Sequence, residues 1–122
     1  MTGSDYERKF ARKLDERGYH VIRAPSSGSA TQRDLPDIAF GKPGVKPCVV
    51  ELKTTGENVA YFTESEVAAL QRFATAFSGS ARLCARFKGD TAYYLHKPTN
   101  ARRTETNRYA IDRDMEPDQV IE

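Results

Sequence analysis

The chain of 122 residues contains no tryptophan, only two cysteines and two histidines, and no long run of apolar residues. Its longest apolar stretches span about four residues, as at residues 67–70, whereas a membrane-spanning helix needs ~18. Cys48 and Cys84 lie in apolar surroundings without a CxxC pair, which argues against a zinc site and a disulfide framework. The first ten residues include no apolar secretion-signal segment. We therefore expect a cytoplasmic protein with no membrane partner.

Charge is distributed unevenly along the chain. The net charge is +2, but residues 112–122 carry −4, so the remaining 111 residues carry +6. Arginine outnumbers lysine by 12 to 7, and the planar guanidinium group can bind two phosphate oxygens at once. A nucleic-acid partner and an ordinary solvated surface are both compatible with this composition.

Hydrophobic spacing predicts two helices and five strands in the order α-β-β-β-α-β-β. The first helix is predicted over residues 4–17, with Ser4 and Glu7 as a capping box. The second runs from Thr63 to about Phe77, with Thr63 and Glu66 as its capping box. The strands are predicted at residues 19–24, 36–40, 47–54, 81–87 and 91–97. This order predicts an α/β fold in a single domain, with a mixed central β-sheet of about five strands and a helix on each face.

The C-terminal segment shows no clear periodicity. We place the principal domain at residues 1–97 and an acidic C-terminal extension at residues 98–122. The extension either packs on the same domain or is partly disordered.

Two short motifs combine acidic and basic residues in strands that should be adjacent. Asp37 follows Pro36 at the start of one hairpin strand, and Glu51 and Lys53 lie in the next strand. Residues i and i+2 of a strand share a face, so Glu51 and Lys53 point the same way. Asp37 shares that face only if it lies opposite Glu51 or Lys53, because a slip of one residue would turn it away. We therefore predict that Asp37 lies opposite Glu51 or Lys53 rather than opposite Leu52.

The two carboxylates and the lysine predict a metal-dependent reaction. An unpaired buried carboxylate is costly, and two carboxylates that converge on one point typically bind a hard cation such as Mg²⁺. A cation held beside a lysine supports phosphodiester hydrolysis. The alternative is an ordinary ion pair on a half-exposed strand.

The ordered motifs resemble the archaeal Holliday junction resolvase family, within the PD-(D/E)xK nuclease superfamily. The resemblance covers about residues 4–97 and rests on residues 6–8, 18–23, 36–37, 51–53, 61, 70–77, 85–87 and 93–94. It implies a restriction-endonuclease-like fold and a homodimer that resolves four-way DNA junctions by paired symmetric nicks. It also implies Mg²⁺ as the cofactor, with Mn²⁺ as a substitute and no organic cofactor, in an archaeal or archaeal-virus-infected cell.

The same resemblance implies a role for each matching residue. Asp37 and Glu51 resemble the metal ligands, Lys53 the catalytic lysine, and Glu7 a helix-borne glutamate that completes the metal site, often through water. The resemblance also implies DNA contacts by Arg8, Arg23 and Arg86, a loop serine at Ser27 with Ser26 and Ser29 as alternatives, and a dimer interface at Phe73 and Phe77.

Several readings remain open beside these roles. Glu7 could instead serve the capping box with Ser4, Arg8 and Arg23 could be solvated surface residues, and Phe73 and Phe77 could be core residues. The same fold could also act on other DNA structures, in nicking, repair or restriction, or bind DNA structures without catalysis. A third alternative is an unrelated α/β domain with a charged face. Tyr93 and Tyr94 stand where the family usually carries a tryptophan, a conservative departure.

Overall fold

The fold contains two capped helices, and the computed structural model describes residues 2–24 and 35–122. Helix α1 spans Gly3–Glu16 and α2 spans Glu64–Ala76. Thr63 and Glu66 form the predicted capping box of α2. In α1 the box is formed by Thr2 and Asp5, so the predicted pair of Ser4 and Glu7 was wrong.

The correction at α1 has a direct consequence for Glu7. Thr2 has an extended backbone, and its side-chain hydroxyl accepts a hydrogen bond from the amide of Asp5. The Asp5 carboxylate accepts a hydrogen bond from the amide of Thr2 in return. The reciprocal bonds are therefore made two residues earlier than predicted. The Glu7 carboxylate is not used as the cap and is available to other neighbours.

In the described part of the chain, nine strands form two sheets. Their bounds are β1 His20–Arg23, β2 Ile38–Lys42, β3 Val45–Thr55, β4 Val59–Phe62, β5 Ser80–Phe87, β6 Tyr93–His96, β7 Arg102–Arg103, β8 Tyr109–Asp112 and β9 Gln119–Ile121. The main sheet has the order β1-β2-β3-β5-β6-β9, and the smaller sheet has the order β4-β8-β7. The pair β3–β5 is parallel and every other pair is antiparallel. The mixed sheet and the α/β class are confirmed, and each of the five predicted strands has a counterpart.

Successive side chains of each strand point to opposite faces of the main sheet, and the buried ones form two cores, one on each face. Helix α1 packs its Phe10 and Leu14 on one face, against a core that includes Val50 and Leu52. Helix α2 and the smaller sheet cover the other face, where Val49 is buried. The predicted placement of one helix on each face is confirmed. Glu51 and Lys53 have the same parity as Val49, so they point toward α2.

The predicted register at Asp37 stays a prediction, because the pairing of β2 with β3 ends at Ile38. In β2 and β3, Ile38 lies opposite Val50 and Ala39 opposite Val49. The amide of Asp37 donates to the carbonyl of Val50 at 3.0 Å, one residue out of step with the pairing of Ile38 and Val50. The side chain of Asp37 reaches β3, where its Oδ2 accepts a hydrogen bond from the amide of Leu52.

The segment after residue 97 contributes strands to both sheets. β8 pairs with β4, and β9 pairs with β6 at the edge of the main sheet. Ile111 and Ile121 are buried in the two cores. These strands have two to four residues, which is too short for periodicity to reveal, so sequence analysis missed them. No helix in the described part of the chain is long and apolar enough to cross a membrane.

Candidate active site

Asp37 is fixed in place by the backbone of β3. Its Oδ2 accepts the amide of Leu52 at 2.8 Å, a bond that spans the β2–β3 hairpin. Burial raises the pKa of Asp37, and the Leu52 bond and the Lys53 charge oppose this shift. The backbone therefore orients the carboxylate next to the strand that carries Glu51 and Lys53.

Glu51 has the most perturbed carboxyl group of the site. Burial raises its pKa to about 8, with further contributions from the negative charges of Asp37, Glu66 and Glu7, while Lys53 opposes the shift. Ionised Glu51 is therefore disfavoured when no cation is present. Such a group is characteristic of a functional site, where a cation supplies the missing positive charge.

Lys53 is held by a residue from α2. Its Nζ lies 2.8 Å from Oε2 of Glu66. Sequence analysis identified Glu66 only as part of the α2 capping box. The missing information was the approach of α2 to β3, which a single sequence does not show.

Glu7 approaches the same site from α1. Its Oε1 lies 3.3 Å from Nη1 of Arg23, which ends β1. Burial and the charge of Asp37 raise the pKa of Glu7, and Arg23 and Arg8 oppose the shift. The structure therefore brings Glu7, Asp37, Glu51 and Lys53 within one electrostatic neighbourhood.

The donor set of this site fits a hard divalent cation. Within residues 2–24 and 35–122, no group of three or more histidine, cysteine, aspartate or glutamate side chains is arranged to hold a metal ion. Mg²⁺, however, is usually bound by one or two carboxylates, with waters and substrate phosphates completing its octahedron. Asp37 and Glu51 provide that pair. A cavity of about 200 Å³ opens beside Glu51 and is also lined by Glu66 and Arg72.

A family model described as archaeal Holliday junction resolvase (Hjc) matches residues 1–122. The chain belongs to this family. The family consists of metal-dependent nucleases that act on the phosphodiester bonds of DNA, so membership identifies an endonuclease.

Individual relatives agree with the family. The chain is 32% identical over 111 residues to the crossover junction endodeoxyribonuclease Hjc of Sulfolobus acidocaldarius, covering 90% of this chain and 76% of the relative. For the enzyme of the same name from Sulfurisphaera tokodaii the identity is 33% over 111 residues, covering 90% and 75%. The solved structure of Archaeoglobus fulgidus Hjc, a Holliday junction resolvase, matches with a TM-score of 0.79 and 27% identity, covering 90% of this chain and 88% of that chain.

The arginines that the family resemblance assigns to DNA differ in accessibility. Arg8 is exposed on α1 and forms an ion pair with Asp5 at 2.8 Å. The guanidinium of Arg86 lies over the ring of Tyr6, with 4.2 Å between its Cζ and the ring centroid. Its Nη1 is buried, and no described residue accepts a hydrogen bond from it. Arg86 is therefore held between α1 and the sheet, whereas Arg8 faces solvent.

Phe73 and Phe77 lie at the end of α2 beside an apolar groove. Their rings stack with centroids 4.4 Å apart. Phe73 is partly buried against the core, but Phe77 is 57% exposed. Ile22, 73% exposed, lines the same groove. Sequence analysis missed Ile22, although an isoleucine on the solvent side of a strand was a usable signal. Ser26, Ser27 and Ser29 lie outside the described residues.

Proposed function

We propose that the chain resolves four-way DNA junctions by Mg²⁺-dependent phosphodiester hydrolysis, with Mn²⁺ as a substitute. One observation carries the proposal: Asp37, held by the amide of Leu52, and the buried Glu51 repel one another beside Lys53. This is the arrangement that a resolvase family member needs for cation-assisted hydrolysis.

Each side chain has a distinct role in this proposal. Asp37 and Glu51 hold the cation, and Glu7 completes the site through water. A cation held there would supply charge stabilisation at the scissile phosphate and a lower pKa for a water molecule. Lys53 offers its ammonium group to the phosphate or orients the attacking water. From the family resemblance we also propose that Ser27 acts as the loop serine near the phosphate.

The arginines position the DNA. Arg8 and Arg23 flank Glu7 on the α1 side, where they can neutralise phosphate charge near the carboxylates. Arg86 supports this surface from beneath Tyr6. Phosphate contacts carry no sequence information, so recognition depends on junction shape and weakens with salt.

We propose a homodimer that uses the groove of Ile22 and Phe77. Exposed apolar side chains of this size commonly mark an interface. A second copy of the chain has the same groove, and a two-fold axis pairs identical surfaces. Two active sites related by that axis match the two equivalent strands of a junction.

We also propose that residues 1–97 form the nuclease domain and that residues 98–122 are an extension that adds strands to it. The protein would act in the cytoplasm of an archaeal cell or of an archaeal cell infected by a virus.

Substituting either carboxylate tests this function. We expect Asp37→Asn and Glu51→Gln each to abolish cleavage of a synthetic four-way junction, because each removes a cation ligand. Junction binding, measured by gel shift in Ca²⁺ or chelator, should persist, because phosphate contacts supply most of the affinity. Glu57→Gln is a matched control, since Glu57 is exposed in the loop after β3, and it should cleave normally. Mg²⁺-dependent cleavage by both active-site variants would contradict the proposal.

A further inference from the structure

The carboxylate of Glu66 is tied at both oxygens. Oε1 accepts the amide of Thr63 at 2.8 Å, and Oε2 accepts a hydrogen bond from Nζ of Lys53, also at 2.8 Å. The amide of Glu66 donates in turn to Oγ1 of Thr63 at 3.1 Å. A glutamate in a capping box has its side chain turned back to the helix start. Glu66 is therefore a rigid acceptor, because the α2 backbone fixes its orientation.

Lys53 has other carboxylates within electrostatic reach. The charge of Lys53 opposes the burial that raises the pKa of both Asp37 and Glu51, so the ammonium group is near each of them. Lysine is a flexible point charge on a four-carbon stem and can reorient between acceptors. The hydrogen bond of Lys53 nevertheless goes to Glu66.

The choice of partner decides what Asp37 and Glu51 can bind. A lysine that pairs with either carboxylate would occupy its oxygens and offset the negative charge that attracts a cation. Pairing with Glu66 draws the ammonium group toward α2. Asp37 and Glu51 then keep their remaining oxygens for a cation.

We propose that Glu66 is a positioning residue, which holds Lys53 toward α2 and so keeps Asp37 and Glu51 available to the divalent cation. The inference rests on the proposed function, because it takes Asp37 and Glu51 as the cation ligands. Glu66 acts through Lys53 and need not contact DNA.

Glu66→Gln is the variant that separates this role from helix capping. Glutamine at the same position still accepts the Thr63 amide, but it has no charge to hold the ammonium group. We expect Mn²⁺ binding to the DNA-free protein, measured by calorimetry, to weaken about two- to fivefold, the range typical of a half-exposed charge pair. Unchanged Mn²⁺ affinity would overturn the proposal.

A double-mutant cycle tests whether the effect passes through Lys53. A direct effect of the Glu66 charge on the cation would weaken binding equally with and without the lysine. We expect Glu66→Gln to have no further effect on Mn²⁺ affinity in a Lys53→Met background, because the misplaced ammonium is then absent. An equal loss in both backgrounds would show a direct charge effect and overturn the positioning role.

Two controls complete the experiment. Thr63→Ala removes the side-chain half of the same capping box and leaves the Glu66 carboxylate on Lys53, so Mn²⁺ affinity should be unchanged. A loss as large as that of Glu66→Gln would assign the effect to the helix start and overturn the proposal. Asp37→Asn should abolish Mn²⁺ binding whatever Glu66 does. If the wild type binds no Mn²⁺, the proposed cation site itself fails, and the inference fails with it.

Discussion

At the residue scale, burial and neighbouring charge determine the chemistry of Glu51 and Asp37. Both side chains have a raised pKa because the sheet removes them from water, and each is repelled by nearby negative charge. Their place was predictable, since Pro-Asp and Glu-x-Lys on adjacent strands define a shared face. Glu66 and Ile22 were not recognised as site or groove residues, because their roles depend on how closely separate elements approach.

The raised pKa of Glu51 predicts a pH-dependent stability in the cation-free protein. Between its ordinary value of 4.5 and about 8 in the folded state, the folded protein holds a proton that the unfolded chain has released. The free energy of unfolding therefore falls as pH rises through this window. At ~1.4 kcal/mol per pKa unit, the loss between about pH 5 and pH 8 is up to about 4 kcal/mol.

Urea unfolding in chelator at several pH values measures this slope. Glu51→Gln cannot release the proton, so its stability should be much less dependent on pH than that of the wild type. Indistinguishable slopes for the two proteins would show that Glu51 is not the perturbed group.

At the element scale, segments with an apolar pattern of their own were predictable, and strands that depend on distant partners were not. Both helices and five of the six described strands of the main sheet follow from apolar spacing, as at Phe10 and Leu14 in α1. The strands β4, β7, β8 and β9 have only two to four residues. Their stability comes from partners distant in sequence, such as β6 for β9. Because these strands depend on distant partners, the apolar spacing within each segment did not predict them.

The turn from α2 into β5 predicts a specific sensitivity at Gly79. A Cβ atom on Gly79 would lie 2.7 Å from the carbonyl oxygen of Pro47, a backbone atom of β3. We expect Gly79→Ala to lower the free energy of unfolding by about 1–3 kcal/mol, because one of the two backbones must shift. In Gly56→Ala the new Cβ would meet only the flexible Lys88 side chain at 3.6 Å. Urea unfolding should therefore show a clear loss for Gly79→Ala and little for Gly56→Ala; equal losses would refute the close approach.

At the scale of the whole molecule, the acidic C-terminal segment is built into the fold. Asp112 forms a bidentate pair with Arg102 at 2.8 and 2.9 Å. Asp118 accepts the amide of Lys97 at 2.7 Å and bonds the side chain of Asn100. Two of the acidic side chains behind the net charge of −4 are thus paired with donors in the same chain. Sequence analysis recorded the charge asymmetry but had no basis for these pairings.

The proposed function also requires two active sites that act together on one junction. The groove of Ile22 and Phe77 would join two copies of the chain, so each junction would meet two sets of Asp37, Glu51 and Lys53. Phe77→Glu places a charge in the groove and should separate the copies without altering either active site. That variant is the control for the following measurement.

The most direct test is cleavage of a supercoiled plasmid that extrudes a cruciform, in the presence of Mg²⁺. A dimeric junction resolvase nicks both opposing strands within one complex, so the account predicts linear plasmid with little nicked circle, and nicks at symmetric positions. Phe77→Glu should give nicked circles or little product. Equal cleavage of a plasmid without the inverted repeat, or a wild type that yields nicked circles first, would contradict the account.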